Sequence, residues 1–156
     1  MIEVVVSDTM LQAAKDKSTE MGRLNNSILS GDGNIAGFVG EQIALSILGG
    51  EWSNTYDYDI VTPDGKKVDV KTKQTTVAPR PHYECSVAKY NTGQQCDMYA
   101  FVRVTKTLDK GWFLGVMDHN TYYEKATYLK KGQVDMSNNF TVRADCYNLP
   151  ISELII

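Results

Sequence analysis

Histidine is the chain's first scarcity: 156 residues contain two, His82 and His119. No Ser–His–Asp arrangement can be assembled around so few. Asp118-His119-Asn120 superficially suggests a histidine–metal site, but no second histidine lies nearby, and a turn accounts for it. Cysteine is also sparse. Cys85, Cys96 and Cys146 form an odd, scattered set with no CxxC, which reads as reduced thiols filling core or surface. No apolar run approaches about 18 residues, so no membrane span is expected. The start, MIEVVVSDTM, lacks a basic region followed by an apolar core, so no secretory signal is expected. GDGNIAG at 31–37 lacks both the GK[ST] of a phosphate loop and the spacing of a dinucleotide fingerprint. Positive charge is not in excess either. Sixteen Lys and Arg face nineteen Asp and Glu, a net charge of −3, so nothing global favours a polyanionic partner. Internal repeats, linkers and low-complexity stretches are absent.

What is present fits one soluble α/β domain over 1–156, with 42% apolar and 22% charged residues. IEVVV at 2–6 reads as a short strand. Ser7 or Asp8 can cap a helix to about Leu24, followed by a polar loop from Asn25 to Gly33. A second helix runs from about Asn34 to Leu48 and ends at Gly49-Gly50. The chain then turns β-rich, with strands expected at 56–62, 66–73, 83–88, 97–105 and 111–117. DMYAFVRV is apolar enough for a central strand. Residues 89–96 read as a short helix or turn, and 121–131 as short helical or irregular. TVRADCYNL is strand-like, before the closing PISELII.

The densest signal lies in YDYDIVTPDGKKVDVKTK. Thr62-Pro63-Asp64-Gly65 fits a type I turn whose Gly closes a three-residue hairpin loop. That register sets Thr62 against Lys66, Val61 against Lys67, Ile60 against Val68, and Asp59 against Asp69. Directly opposed like charges are destabilising. Such a pair needs a cation between its members or a raised pKa on one of them. On the second strand Val68, Val70 and Thr72 share one face, while Lys67, Asp69, Lys71 and Lys73 share the other. A plain amphipathic strand gives the same alternation. Upstream, GFVGEQIALSIL places Glu41 amid apolar residues, with Phe38 and Leu45 on its side of the helix. Gly37 and Gly40 weaken that helix and make sense where another backbone or a ligand passes close.

Glu41 after a glycine on a helix, Asp59 at a strand, and Asp69-Val70-Lys71 on the next strand resemble the PD-(D/E)xK nuclease superfamily. The resemblance covers about residues 34–105, with an N-terminal helix before that core and a β-rich extension after it. Tyr58 stands where the motif has proline. The resemblance implies a restriction-endonuclease-like mixed central sheet flanked by helices, in the order helix–strand–strand–strand–helix–strand. It further implies a Mg²⁺- or Mn²⁺-dependent DNA endonuclease. Glu41, Asp59, Asp69 and Lys71 would be catalytic, and Glu41, Asp59, Asp69 and the Val70 carbonyl would hold the metal. Lys73, Arg80 and His82 are the expected substrate contacts, and Gln94 or Gln95 a polar accessory. DNA, including branched or single-stranded forms, is the implied partner, and two-strand cutting would call for a homodimer. The compact size looks like small phage or bacterial members, which implies a cytoplasmic setting, the host's if phage-encoded. The alternative is a nuclease-like fold that binds nucleic acid or protein without cutting.

Overall fold

The computed structural model describes the backbone of residues 1–25, 32–53 and 55–156. Strand β1 (Ile2–Val5) turns Ile2 and Val4 inward and leaves Glu3 and Val5 outside. Ser7 is the cap foreseen for helix α1 (Asp8–Asn25): its Oγ accepts the Met10 N–H at 3.1 Å. Most of the polar loop expected at 25–33 lies at 26–31, outside the described residues. Helix α2 (Asp32–Leu48) begins two residues before the expected Asn34 and stops at Gly49, whose φ of 71° no helical residue adopts.

Strands β2 (Glu51–Trp52), β3 (Ile60–Val61) and β4 (Lys67–Thr75) form an antiparallel meander. The turn chemistry sets its register as expected. Ile60 pairs with Val68 and Val61 with Lys67, while Thr62 N–H donates to Lys66 at 2.9 Å. Gly65, at φ 87°, takes the left-handed position. The strand expected at 56–62 shortens to two residues because Thr55 N–H bonds back to the Tyr58 carbonyl at 2.7 Å. That local turn pulls the chain out of the sheet.

From β4 the chain passes through β5 (Glu84–Ala88) and a 3-10 turn at Lys89–Asn91 to β6 (Met98–Thr105), which runs parallel to β4. The full helix implied for this crossover is thus a single tight turn. There follow β7 (Lys110–Asp118), α3 (His119–Lys125), β8 (Thr127–Leu129), β9 (Val134–Asp135), β10 (Phe140–Thr141) and β11 (Cys146–Pro150). Among the described residues the main sheet has the order β1-β7-β6-β4-β3-β2. β5, β11 and β8 form a second sheet, and β9 and β10 a hairpin. The result is a mixed α/β architecture. No described helix is long and apolar enough to cross a membrane.

Alternation along the strands builds two apolar layers. Val68, Val70, Ala100, Val102 and Phe113 face α2, which α1 covers in turn. Tyr99, Phe101, Leu114 and Met117 face the other way, toward Cys85, Val87, Tyr122 and Leu149. The three cysteines are unpaired, as expected. α2 lies close to β4 because Gly40 has no side chain. A Cβ there would collide with Thr72, whose Cγ2 would sit at 2.6 Å. At Gly37 a Cβ would meet no described atom within 4 Å.

The two glycines therefore predict opposite responses. Gly40→Ala should cost about 1–3 kcal/mol through overpacking against β4. Gly37→Ala should gain about 0.5–1 kcal/mol by stiffening the helix. Urea unfolding of both variants checks the pair, and equal effects would show that α2 does not rest on Thr72.

Candidate metal and catalytic site

The site forms where β3 leaves β4. Asp59 N–H donates to the Val68 carbonyl at 2.8 Å, although Val68 is already the partner of Ile60. Two residues of one strand thus face one of the other, a bulge. The direct Asp59–Asp69 opposition expected from the turn is not formed. Instead the Asp59 side chain turns into the ladder, and Oδ2 accepts the Val70 N–H at 2.8 Å. The N–H and C=O of one strand residue point to the same side, so the Val70 carbonyl faces the same gap.

Asp69 stands on the opposite face of β4 from Val68 and Val70. Its Oδ1 accepts Gln94 Nε2 at 3.0 Å, and its Oδ2 pairs with Lys71 Nζ at 2.7 Å. That close contact is an ion pair, and among the described residues no second donor reaches the buried Oδ2. Lys71 Nζ also donates to Gln94 Oε1 at 3.0 Å and lies 5.8 Å from the centre of the Tyr99 ring. Gln94 Nε2 reaches the Tyr56 carbonyl at 2.7 Å as well. Of the two glutamines the sequence left open, Gln94 is therefore the one in the site. Gln95 is exposed, with its side chain on the Gly93 carbonyl at 3.3 Å.

Glu41 arrives from α2. Its Oε2 accepts Trp52 Nε1 at 2.5 Å, and its carboxyl lies close enough to Asp59 for the two to influence each other's charge. The Gly40–Thr72 contact brings it this close, and Trp52, which the sequence did not single out, fixes it from β2. Glu41, Asp59 and Asp69 are all buried, at 7%, 7% and 4% exposure. Burial, then the Asp59 charge, pushes Glu41 up to about 8. Burial, then the Asp69 charge, pushes Asp59 up to about 7. Burial raises Asp69 too, against the opposing pull of Lys71.

Three carboxylates and one lysine leave the cluster short of positive charge, and protons make up the difference. The donor set of Glu41, Asp59, Asp69 and the Val70 carbonyl is all oxygen, which suits a hard divalent cation. Asp69 Oδ2, held by Lys71 alone among the described residues, keeps lone-pair capacity within it. Among the described residues, no three His, Cys, Asp or Glu side chains stand ready as a coordination cage. The carboxylates are turned instead to Trp52, Val70, Gln94 and one another.

The other expected contacts separate. Lys73 and His82 line a recess of about 800 Å³ that begins at Lys71. Arg80 is exposed and is not among its lining residues. His119, read as a turn residue, opens α3 and stacks on Tyr99 with ring centres 5.3 Å apart. Its preceding Asp118 accepts the Thr121 N–H at 3.3 Å, which explains the Asp-His-Asn sequence as a helix cap.

The raised carboxyls predict a pH dependence. The folded chain holds protons on Glu41 and Asp59 up to about 8 and 7, well above their ordinary values of 4.5 and 3.8. Their contribution is therefore full below about pH 4 and is lost as pH rises through about 7 to 8. In EDTA the melting temperature should fall across that window, and Asp59→Asn should flatten the fall. A wild-type slope retained in the variant would remove Asp59 from the coupled cluster. No family model matches this chain, and no curated protein matches it.

Proposed function

We propose that the chain is a divalent-cation-dependent nuclease of the PD-(D/E)xK kind, hydrolysing phosphodiester bonds in DNA. The supporting observation is the convergence of Glu41, Asp59 and Asp69 beside Lys71, where β3 parts from β4. The α2–β2–β3–β4 order and the parallel β6 are in keeping with a restriction-endonuclease-like core. The shortened crossover departs from it.

Glu41, Asp59, Asp69 and the Val70 carbonyl would hold Mg²⁺ or Mn²⁺ in exchange for the protons on the carboxyls. The bound ion would polarise the scissile phosphate and lower the pKa of the attacking water. Lys71 would set its ammonium against the charge that develops on the phosphate oxygens. Gln94 holds Lys71 and Asp69 in mutual register, so the lysine is aimed before substrate arrives. Trp52, half-buried against α2, keeps the Glu41 carboxyl turned inward.

The test is cleavage of linear, nicked and branched DNA with Mg²⁺ or Mn²⁺. Wild type should cut, and Asp69→Ala and Lys71→Ala should each slow cutting by at least about 100-fold. Trp52 fluorescence should respond to Mn²⁺ in the wild type and lose that response in Asp69→Ala. Cleavage that survives both substitutions would sink the assignment.

A further inference from the structure

The recess beside Lys71 holds a charge arrangement that the carboxylate site does not use. Lys73 and Arg103 are direct register partners across β4 and β6. Like charges so placed repel. Among the described residues ion pairs join Lys71 to Asp69, Lys110 to Glu3 and Lys125 to Glu153, and neither Lys73 nor Arg103 takes part. Arg103 is buried, with its guanidinium on the Glu84 carbonyl at 2.9 Å and 5.4 Å from the centre of the Tyr83 ring. Partial burial, then the Arg103 charge, draws the Lys73 pKa down. Glu84 also lines the recess and, pushed up to about 6 by burial, is still largely ionised at neutral pH; its Oε1 accepts from Ser137 Oγ at 2.8 Å, and among the described residues no ion pair joins it to Lys73 or Arg103.

Two cations side by side, neither in an ion pair among the described residues, suit an anion between them. The rest of the lining is mixed, with Ser86, Asn138, Asn148 and Arg143 among apolar side chains. Phe101, Leu114 and Val142 contribute to its walls, and Phe140 of the β9–β10 hairpin is 48% exposed with Arg143 5.8 Å from its ring centre. A volume of about 800 Å³ is that of a small-ligand site rather than of a flat duplex-binding face. A paired base offers only its edges. An apolar wall and an exposed aromatic ring take a base by its face, which requires an unpaired base.

We propose that this recess binds an unpaired segment of a nucleic-acid strand, with a phosphate flanking the scissile one between Lys73 and Arg103 and a splayed base against Phe140. The inference rests on the nuclease reading for its orientation, because Lys71 lines the recess and joins it to the carboxylates. It makes single-stranded or flapped DNA the substrate class.

Binding without cleavage tests it. In EDTA, fluorescence anisotropy is measured with a labelled oligothymidylate of about 12 nucleotides and with a duplex of equal length. The single strand should bind at least about tenfold more tightly. Lys73→Gln and Phe140→Ala, both at exposed positions, should each weaken single-strand binding about tenfold while melting like the wild type. Lys73→Gln should also lower the salt slope by about one. Duplex binding as tight as single-strand binding, or single-strand binding unchanged in both variants, overturns the proposal. Single-strand preference without metal-dependent cutting upholds the recess and removes the nuclease. Cutting with no strand preference upholds the nuclease and removes the recess.

Discussion

Asp59 Oδ2 accepts the Val70 N–H, and the candidate site is arranged around that bond. A strand donor that loses its neighbour must find another acceptor, because a buried unpaired N–H is costly. Here the acceptor is a carboxylate rather than a carbonyl. The substitution fixes Asp59 at the edge of β4 and turns the Val70 carbonyl toward the same gap. It also lets side chains from both faces of the sheet meet. Glu41 comes from the α2 side and Asp69 from the opposite face of β4. A continuous β3 would have kept them apart.

Meeting there has an electrostatic consequence. Three buried acids cannot all ionise with one lysine between them, so two carboxyls hold their protons toward neutral pH. The structure tolerates this because each acid has a fixed partner: Trp52 for Glu41, Val70 for Asp59, and Gln94 with Lys71 for Asp69. These partners fix the orientation of each acid, and a cation entering the cluster would have to displace protons from them. Close packing of α2 on β4 is equally necessary. A single methyl at Gly40 would push the helix away from Thr72 and take Glu41 with it.

Legibility in the sequence followed the range of each interaction. The Thr62–Gly65 turn is local chemistry, so its register from Thr62–Lys66 to Ile60–Val68 could be counted from the residues. Helix α1, its Ser7 cap, helix α2 and the strands near 67–75, 84–88, 98–105 and 110–118 were readable from periodicity and capping residues. Counting failed one step further out. The Thr55–Tyr58 turn takes Asp59 off the regular ladder, and nothing in the Pro-Asp-Gly signal announces that second turn. Gln94 lies on a connection whose path is set by tertiary packing, so the pair Gln94-Gln95 could not be resolved. The Lys73–Arg103 pairing was invisible for a related reason. It arises from a parallel contact between strands about thirty residues apart in sequence, and parallel pairing leaves no local turn to count from.

From Asp69 onward, one face of β4 passes from acidic to basic, and the parallel pairing adds Arg103 at the basic end. Asp69, next to the carboxylate cluster, is followed on the same side by Lys71 and then by Lys73 beside Arg103. On the proposed reading, a cluster that would take a cation adjoins a pair that would take an anion, with Lys71 between them. A nucleic-acid strand presents complementary needs over the same distance. Its reacting phosphate requires a cation and its neighbouring phosphate requires fixed positive charge. The net charge of −3 conceals this, because composition averages over faces and the lysines after Asp69 gather on one. Placement on a single strand, rather than an overall basic character, is what would let an acidic chain hold a polyanion.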